Sequence, residues 1–388
     1  MEKKKILSVF GTRPEAIKMA PLVKEIEKNK NFESIVVVTA QHREMLDQVL
    51  ELFNIIPDYD LNIMKKNQSL TDITSNVLIG LSDILEEVKP DLVLVHGDTT
   101  TTFAASLAAY YKQIKVAHVE AGLRSGDLYS PYPEEANRRL TGCLANIHFA
   151  PTTGSKENLL KENISEKDIY VTGNTVIDAL LETVKIGENN ICEKKGNFPC
   201  RIASDNDKII LVTAHRRENH GKPLENIFNA LLNIHRDFED VKIIFPVHKN
   251  PKVKELAERM LSEKERVFLV DPMEYEDFSL LMSKSFLVLT DSGGIQEEAP
   301  AFGKPVLVLR ENTERPEAVH AGTVELVGTN SDRIYNSVKK LLTQRESYDR
   351  MAKAVNPYGD GNASKRIVNY IEWKYGFNSE RPSEWEYN

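Results

Sequence analysis

Short apolar runs rich in β-branched residues alternate with longer amphipathic stretches along almost the whole chain. This alternation is typical of βα units, in which helices cover both faces of a parallel sheet. Strands are predicted near residues 5–10, 35–40, 92–97, 115–120, 147–150 and 169–172, and again near 208–214, 242–247, 267–270, 286–290, 305–309 and 323–327. The sequence therefore predicts an α/β protein with two doubly wound, Rossmann-like domains.

The length agrees with two domains, because 388 residues exceed what one ordinary core accommodates. Residues 187–207 lie between the two series of strands and are polar and without period, so they are predicted to form a linker. The crossing near 355–365 has a similar composition, and both segments are predicted hinges for a domain closure.

The composition excludes several classes of partner and site. A net charge of -8 argues against nucleic acid, and no apolar run is long enough to span a membrane. The first residues lead directly into a strand without an apolar signal segment, so a cytoplasmic protein is expected. Cys143, Cys192 and Cys200 match no metal template and are predicted to be reduced thiols.

Ligands of such sheets bind beyond the carboxyl ends of the strands, so the residues that follow each strand are the informative ones. Arg13 and Lys18 follow the first strand, on a helix that Pro14 would open. A capped helix with a solvated arginine is the alternative interpretation. The spacing is not GxGxxG, and no Walker lysine motif is present, so a nicotinamide or flavin cofactor has no support.

Three acidic residues are predicted at one rim of the first domain. Asp98 follows the third strand, Glu120 follows the fourth, and Glu134 lies beyond the next loop. Carboxylates at strand ends often cap the next helix, and for Asp98 that alternative is as plausible as catalysis. It is weaker for Glu120, which is followed by Ala-Gly and precedes no obvious helix.

The second domain carries cationic and glycine-rich turns. His215 stands in a dense polar group after the seventh predicted strand, and its spacing from His220 does not fit HExxH, which disfavours a metal. His248 is interpreted as a polar loop residue.

The stretch LTDSGGIQEE places Ser292, Gly293 and Gly294 at the start of a predicted helix, where backbone N–H groups can bind an anion. Glu298 lies four residues after Gly294, on the same helix face, and suits a ribose diol. A tight turn with a solvated Glu298 is the alternative. Arg315 follows the next strand and could bind a diphosphate.

Seven motifs resemble, in order and spacing, those of the non-hydrolysing UDP-N-acetylglucosamine 2-epimerases: FGTRPEAIK, HGDTTTT, VEAGLRSGDLYSPYPEEANRR, VTGNTVIDAL, VTAHRREN, LTDSGGIQEEAPAFGKPVLVLR and TERPEAV. The resemblance covers residues 4–375. It implies a glycosyltransferase-B-type pair of domains, residues 1–172 with 362–388 and residues 173–361, with the nucleotide in the cleft and a returning segment at 362–377. It further implies a homodimer that uses UDP-N-acetylglucosamine and UDP and needs neither NAD nor metal, so no cofactor is expected.

The resemblance also assigns roles to individual residues. Asp98, Glu120, Glu134 and His215 match the catalytic positions. The positions matched to substrate binding are Arg13 and Lys18 for the phosphates, Met273 (where some relatives have glutamine) and Phe278 for the uracil, Ser292, Gly293 and Gly294 for the diphosphate, Glu298 for the ribose, and Arg315 for the diphosphate. Residues 41–44 resemble part of an allosteric substrate site, but Asn67 replaces an arginine, which leaves such activation open.

The expected reaction is inversion at C2 of the hexosamine by expulsion of UDP, formation of a glycal and re-addition. The alternatives are a hydrolysing epimerase, an epimerase of a modified UDP-N-acetylhexosamine, a retaining glycosyltransferase and a sugar-nucleotide-binding regulator. The sequence shows no feature of an acceptor groove, and a regulator would gain nothing from three carboxylates beside an anionic ligand.

Overall fold

The computed structural model describes residues 2–40, 43–65, 68–191 and 208–387, and for residues 189–191 the backbone alone. The chain forms two compact units. The first comprises Met1–Ala179 and Tyr358–Glu386, and the second comprises Leu180–Pro357 and Tyr387–Asn388.

Each unit contains one parallel sheet. The first sheet has the strands β1 (Lys4–Phe10), β2 (Phe32–Val38), β3 (Tyr59–Asp60), β4 (Leu92–His96), β5 (Lys115–Val119), β6 (Ile147–Ala150) and β7 (Ile169–Val171). The second has β8 (Lys208–Thr213), β9 (Val241–Pro246), β10 (Val267–Val270), β11 (Leu287–Thr290), β12 (Val306–Val308) and β13 (Val324–Leu326). Their orders are β3-β2-β1-β4-β5-β6-β7 and β10-β9-β8-β11-β12-β13. The predicted fold class of two doubly wound parallel sheets is confirmed.

Helices follow the strands in regular alternation. They are α1 (Arg13–Lys28), α2 (Arg43–Leu52), α3 (Leu70–Val88), α4 (Thr100–Tyr111), α5 (Glu134–Leu144), α6 (Thr153–Lys161), α7 (Thr175–Ile191), α8 (Lys222–Asp237), α9 (Pro251–Leu261), α10 (Tyr275–Lys284), α11 (Gly293–Glu298), α12 (Pro316–His320), α13 (Ser331–Thr343), α14 (Arg345–Ala352) and α15 (Ala363–Lys374). Within the described parts of the chain, no helix is long and apolar enough to cross a membrane.

The order of the strands locates the ligand-binding end of each sheet. In the first sheet the order in which successive strands are added reverses between β1 and β4, and in the second it reverses between β8 and β11. Loops diverge at such a switch point and leave a crevice outside the carboxyl ends of the strands. The residues that follow β1, β4, β8 and β11 are therefore the ones that can face a ligand.

Helix α15 belongs to the first unit although it lies late in the sequence. Its Tyr370 is fully buried, with its ring centroid 4.5 Å from that of Tyr170 on β7 and 5.6 Å from that of Phe149 on β6. The N-terminus of α15 is capped from α7, since the Asp178 carboxylate accepts the N–H groups of Ala363 at 3.1 Å and Ser364 at 2.8 Å. These contacts anchor the returning chain to the first sheet.

The structure differs from the sequence predictions at residues 187–191 and at β3. Residues 187–191, predicted as linker, continue helix α7, because the amphipathic pattern that starts at Thr175 extends through them. The rest of the predicted linker, with Cys192 and Cys200, lies outside the described residues, while Cys143 is exposed and forms no disulfide within them. The two-residue strand β3 was not predicted.

Candidate functional site

A cavity of about 410 Å³ lies at the switch point of the first sheet. It brings together five of the residues singled out from the sequence: Arg13, Lys18, Asp98, Glu120 and Glu134. The other lining residues are Thr12, Pro14, Glu15, Met45, His96, Gly97 and Thr99. The three predicted acids thus share one cavity with two cations.

Glu120 is the most constrained of the three acids. Its backbone has φ 62°, a left-handed conformation that non-glycine residues seldom adopt and that tends to occur at functional sites. Its carboxylate pairs with Lys18, accepts a hydrogen bond from Asn174 Nδ2 at 3.0 Å and lies 3.6 Å from His96 Nε2. Burial raises the pKa of Glu120, but Lys18 and His96 outweigh it and hold the pKa well below the ordinary range. Glu120 is therefore ionised at neutral pH.

Asp98 is held by helix α5. Arg138 Nη2 donates to the Asp98 carboxylate at 2.5 Å, and Asn137 Nδ2 donates to the Asp98 carbonyl at 3.0 Å. The alternative role of Asp98 as a helix cap does not apply, because Thr99 caps α4 and accepts the N–H of Thr102. The Asp98 side chain is instead directed by an arginine.

Glu134 opens helix α5 and therefore shares a helix with the two residues that hold Asp98. Its Oε2 atom is buried and has no hydrogen-bond partner among the described residues. A buried carboxylate oxygen without a partner is costly. A ligand in the cavity that donates a proton or a hydrogen bond would remove that cost.

Arg13 and Lys18 are positioned by the start of α1. Glu15 completes a capping box with Thr12, and its carboxylate accepts the N–H groups of Thr12 at 2.8 Å and Gly11 at 3.1 Å. The other Glu15 oxygen accepts hydroxyl groups from the first turn of α4, which fixes α1 against β4 and α4. The alternative interpretation of Arg13 as a solvated arginine is not favoured, because Arg13 is partly buried and lines the cavity.

At the switch point of the second sheet, His215 and Asp291 follow the adjacent strands β8 and β11. Nδ1 of His215 lies 3.3 Å from Oδ1 of the fully buried Asp291. Burial lowers the pKa of His215, with smaller contributions from His248 and Arg216, and the Asp291 charge opposes the shift. The His248 ring stacks on His215 with centroids 5.5 Å apart. His248 is an exposed loop residue, as predicted, and its ring contact with His215 was not predicted.

The glycine-rich turn forms the N-terminus of helix α11. Gly293 is the first residue of α11, Ser292 precedes it, and Gly294 is exposed. A Cβ atom on Gly293 would lie 3.8 Å from the Arg315 guanidinium and 3.9 Å from Arg216 Nη2. Two guanidinium groups and the first N–H groups of a helix therefore surround the same small space. This arrangement suits an anion.

The remaining predicted residues lie in the second unit as well. A Cβ on Gly294 would lie 3.8 Å from Oε1 of Glu298, which confirms that both share one helix face. Arg315 pairs with Glu297. Phe278 lies on α10 and Met273 precedes that helix, and both side chains are partly buried.

Within the described ranges, no cluster of three or more His, Cys, Asp or Glu side chains is arranged to hold a metal ion.

Comparison with known proteins gives consistent matches over the whole chain. A family model described as UDP-N-acetylglucosamine 2-epimerase matches residues 24–372. The UDP-N-acetylglucosamine 2-epimerase of Bacillus subtilis (strain 168) is 56% identical over 382 residues, which cover 98% of this chain and 98% of the relative. That of Escherichia coli (strain K12) is 57% identical over 371 residues, covering 95% and 98%.

A solved structure agrees with these sequence matches. The UDP-GlcNAc 2-epimerase from Neisseria meningitidis, crystallised with UDP-GlcNAc bound, superposes with a TM-score of 0.83 at 56% identity. The match covers 95% of this chain and 99% of that one. Sequence and fold are therefore similar to the same group of proteins.

Proposed function

The chain belongs to the UDP-N-acetylglucosamine 2-epimerase family, and from this premise we propose that it is a non-hydrolysing enzyme that interconverts UDP-N-acetylglucosamine and UDP-N-acetylmannosamine. The observation that carries the proposal is the cavity in which Asp98, Glu120 and Glu134 meet, with Glu120 kept ionised by Lys18. Inversion of one carbon needs a proton acceptor on one face and a donor on the other. A cavity with several carboxylates can supply both.

The chemistry has to avoid a free carbanion at C2, because no adjacent carbonyl group would stabilise it, so loss of the C2 proton is coupled to departure of UDP from C1. In the proposed first step, the C2 proton passes to a carboxylate, the C1–O bond breaks with its electron pair on the β-phosphate oxygen, and a C1=C2 double bond forms. In the return step, a proton adds to the other face of C2 and the phosphate oxygen bonds again to C1. UDP and the glycal are retained throughout, so no water is consumed.

Glu120 is suited to accept a proton because it is ionised. Glu134 has an oxygen directed to no other described group, and Asp98 is oriented by Arg138, so these two are the candidates for the opposite face. General acid–base catalysis contributes about 10² to 10⁴-fold. Most of the barrier must then fall through stabilisation of the departing diphosphate.

The second unit supplies the groups for that stabilisation in this proposal. The N–H groups of Gly293 and Gly294, together with Arg315 and His215, bind the diphosphate. Glu298 accepts hydrogen bonds from the ribose hydroxyl groups, and Phe278 stacks on the uracil, with Met273 nearby in sequence. The solved relative bound to UDP-GlcNAc supports a nucleotide sugar as the ligand.

One incubation tests the proposal. The purified protein is mixed with UDP-N-acetylglucosamine in D₂O without metal or NAD, and the anomeric and C2 signals are followed by NMR. We expect UDP-N-acetylmannosamine to appear, with deuterium at C2 in both nucleotide sugars. Free N-acetylmannosamine and UDP would identify a hydrolysing enzyme, and a lack of any change would direct the search to a modified UDP-N-acetylhexosamine.

Three expectations belong to the same proposal. The protein acts as a cytoplasmic homodimer, it needs no dissociable cofactor, and its product feeds the synthesis of a cell-surface polysaccharide or glycan. Sedimentation velocity across a range of protein concentrations tests the dimer, and activity after extensive dialysis against a chelator tests the cofactor requirement.

A further inference from the structure

Glu120 is held by a side chain of the motif VTGNTVIDAL to which neither the reaction scheme nor the sequence analysis assigns a role. Asn174 follows β7, and its Nδ2 donates to Oε2 of Glu120 at 3.0 Å. We propose that Asn174 is a positioning residue that orients the Glu120 carboxylate for proton transfer, and that the returning segment 358–361 fixes Asn174. This inference rests on the proposed role of Glu120.

The orientation of the Asn174 amide is determined by its own contacts. Its Oδ1 accepts the N–H of Val176 at 3.1 Å, in the first turn of α7. Since that oxygen is engaged with the helix, the Nδ2 group points to the other side, where Glu120 lies. The side chain therefore presents a donor, not an acceptor, to the carboxylate.

The need for such a donor follows from the geometry of Glu120. Its backbone is in the left-handed region, and its carboxylate contacts groups from three separate elements: Lys18 on α1, His96 at the end of β4, and Asn174 after β7. A flexible lysine alone leaves the carboxylate free to rotate about its own axis. The planar amide restricts that rotation and leaves the second oxygen, Oε1, directed to the cavity side of Gly97, where a Cβ would lie 3.9 Å from it.

Asn174 is in turn fixed by the chain that returns from residue 357. Its N–H donates to the carbonyl of Tyr358 at 2.6 Å. Gly359 has φ 134°, and a Cβ on it would lie 3.5 Å from the Asn174 nitrogen. The neighbouring Gly173 has φ 82°, and a Cβ there would be 3.2 Å from Gly359 Cα. Two glycines allow the returning backbone to lie directly against Asn174.

The decisive variant is Asn174→Asp. It retains the shape of the side chain and an oxygen for the Val176 N–H, but it replaces the donor by a negatively charged acceptor beside Glu120. Asn158→Asp is the matched control, because Asn158 Nδ2 also donates nearby, at 3.1 Å, but to the Gly122 carbonyl and not to the carboxylate. Deuterium wash-in at C2, kcat, KM and UDP affinity are measured for each protein from pH 9 down to the lowest pH at which it stays folded, because the acid limb set by Glu120 lies at low pH.

We expect Asn174→Asp to lower kcat by about 10- to 100-fold, the range for a lost hydrogen bond to a charged group. KM and UDP affinity should change less than threefold. The acid limb, which is the fall of kcat at the low-pH side of its plot against pH, should move to higher pH. The reason is that the pKa of Glu120 rises when its carboxylate loses a stabilising donor and gains a like charge beside it. Asn158→Asp should leave the acid limb where it is, and Asn174→Ala should move it less than Asn174→Asp.

The result distinguishes this inference from the proposed function. If the wild type shows no wash-in at C2, both fail together. If the wild type exchanges and Asn174→Asp keeps the wild-type acid limb, the positioning role is refuted while the reaction stands. A lower kcat with an unmoved acid limb would also refute it, because that is the signature of a merely structural residue.

A second pair of variants tests the role of the returning segment 358–361. Gly359→Ala places an L side chain at φ 134° and should displace the Tyr358 carbonyl, so it should reproduce the low kcat and the shifted acid limb. Gly376→Ala is the control, since Gly376 has φ 77° but a Cβ there would meet nothing within 4 Å. A shifted limb in both variants, or in neither, would refute the link to the returning segment.

Discussion

Asp291 supports His215 through both of its carboxylate oxygens. Oδ1 lies 3.3 Å from the His215 Nδ1 atom, and Oδ2 accepts the backbone N–H of His215 at 2.8 Å. Oδ2 also accepts the N–H of Arg216 at 2.8 Å and Nδ2 of Asn219 at 3.0 Å. One buried carboxylate therefore holds the backbone at His215 and Arg216 and places a negative charge beside the His215 ring.

We predict that Asp291→Asn lowers kcat by about 10- to 100-fold, a loss comparable to one charge-assisted hydrogen bond. Burial already lowers the pKa of His215, and the Asp291 charge is the group that opposes this shift. Without that charge the pKa of His215 falls further, and less imidazolium faces the departing diphosphate. NMR titration of the His215 ring together with kcat checks the prediction. Asp271→Asn, an exposed change, is the control, and an unchanged His215 titration would contradict the argument.

Asp98→Asn and Glu120→Gln should each reduce turnover by about 10² to 10⁴-fold, the usual range of acid–base catalysis. Both variants should bind UDP as the wild type does, because neither residue is assigned to the nucleotide. Steady-state kinetics and calorimetric titration with UDP measure the two effects. The exposed Glu33→Gln provides the control, and near-wild-type turnover would remove the substituted residue from the mechanism.

Gly293→Ala should weaken UDP binding by at least 10-fold without loss of stability. The added methyl group would lie 3.8 Å from the Arg315 guanidinium, in the space assigned to the diphosphate, and meets no protein atom closer than that. Alanine also favours a helix by about 1 kcal/mol over glycine. Calorimetry and thermal unfolding separate the two effects. Gly187→Ala in α7 is the control, since a Cβ there would lie 3.5 Å from Cγ of Glu276 on α10 and away from the glycine-rich turn, so UDP affinity should be unchanged.

His148→Leu should make the protein less sensitive to acid. Burial lowers the pKa of His148 to about 4, from 6.5 in an exposed imidazole. As the pH falls below 6.5, His148 therefore takes up a proton in the unfolded chain but not in the folded chain. The stability that is present above pH 6.5 is lost as the pH falls towards 4. A pKa lowered from 6.5 to about 4 corresponds to about 3 kcal/mol of stability.

Chemical denaturation between pH 4 and 7 measures this effect as the slope of unfolding free energy against pH. The slope should be smaller in His148→Leu than in the wild type. Thr141→Val is a suitable control, because the Thr141 hydroxyl is also buried without a partner among the described residues but cannot titrate. Equal slopes in the wild type and His148→Leu would show that His148 does not contribute to acid sensitivity.

The sequence predicted the larger elements well because their signals are local. All twelve predicted strands are present, since each is an apolar run bounded by polar residues. The strand β3 consists only of Tyr59–Asp60 and joins the sheet through its register with Val37 and Val38, which no pattern within two residues can encode. The continuation of α7 through Gly187 was missed because a glycine and polar residues suggested a loop.

The site was predictable to the extent that its residues directly follow strands. Arg13, Asp98 and Glu120 follow their strands within three residues, while Lys18 and Glu134 lie on the helices that come next. The side chains that hold the site residues were not predicted: Arg138 is 40 positions from Asp98, Asn174 is 54 from Glu120, and Asp291 is 76 from His215. Such pairs depend on which strands are neighbours in the sheet, and one sequence does not specify that order.

Helix α15 has a consequence for how the protein is made. The first unit buries Tyr370 of α15 against Tyr170 and Phe149, yet α15 is translated only after residues 180–357. On the ribosome, the second unit can therefore complete its core while the first, although synthesised earlier, still exposes the aromatic face that α15 will cover. The part of the nascent chain that emerges first is the part that finishes folding last.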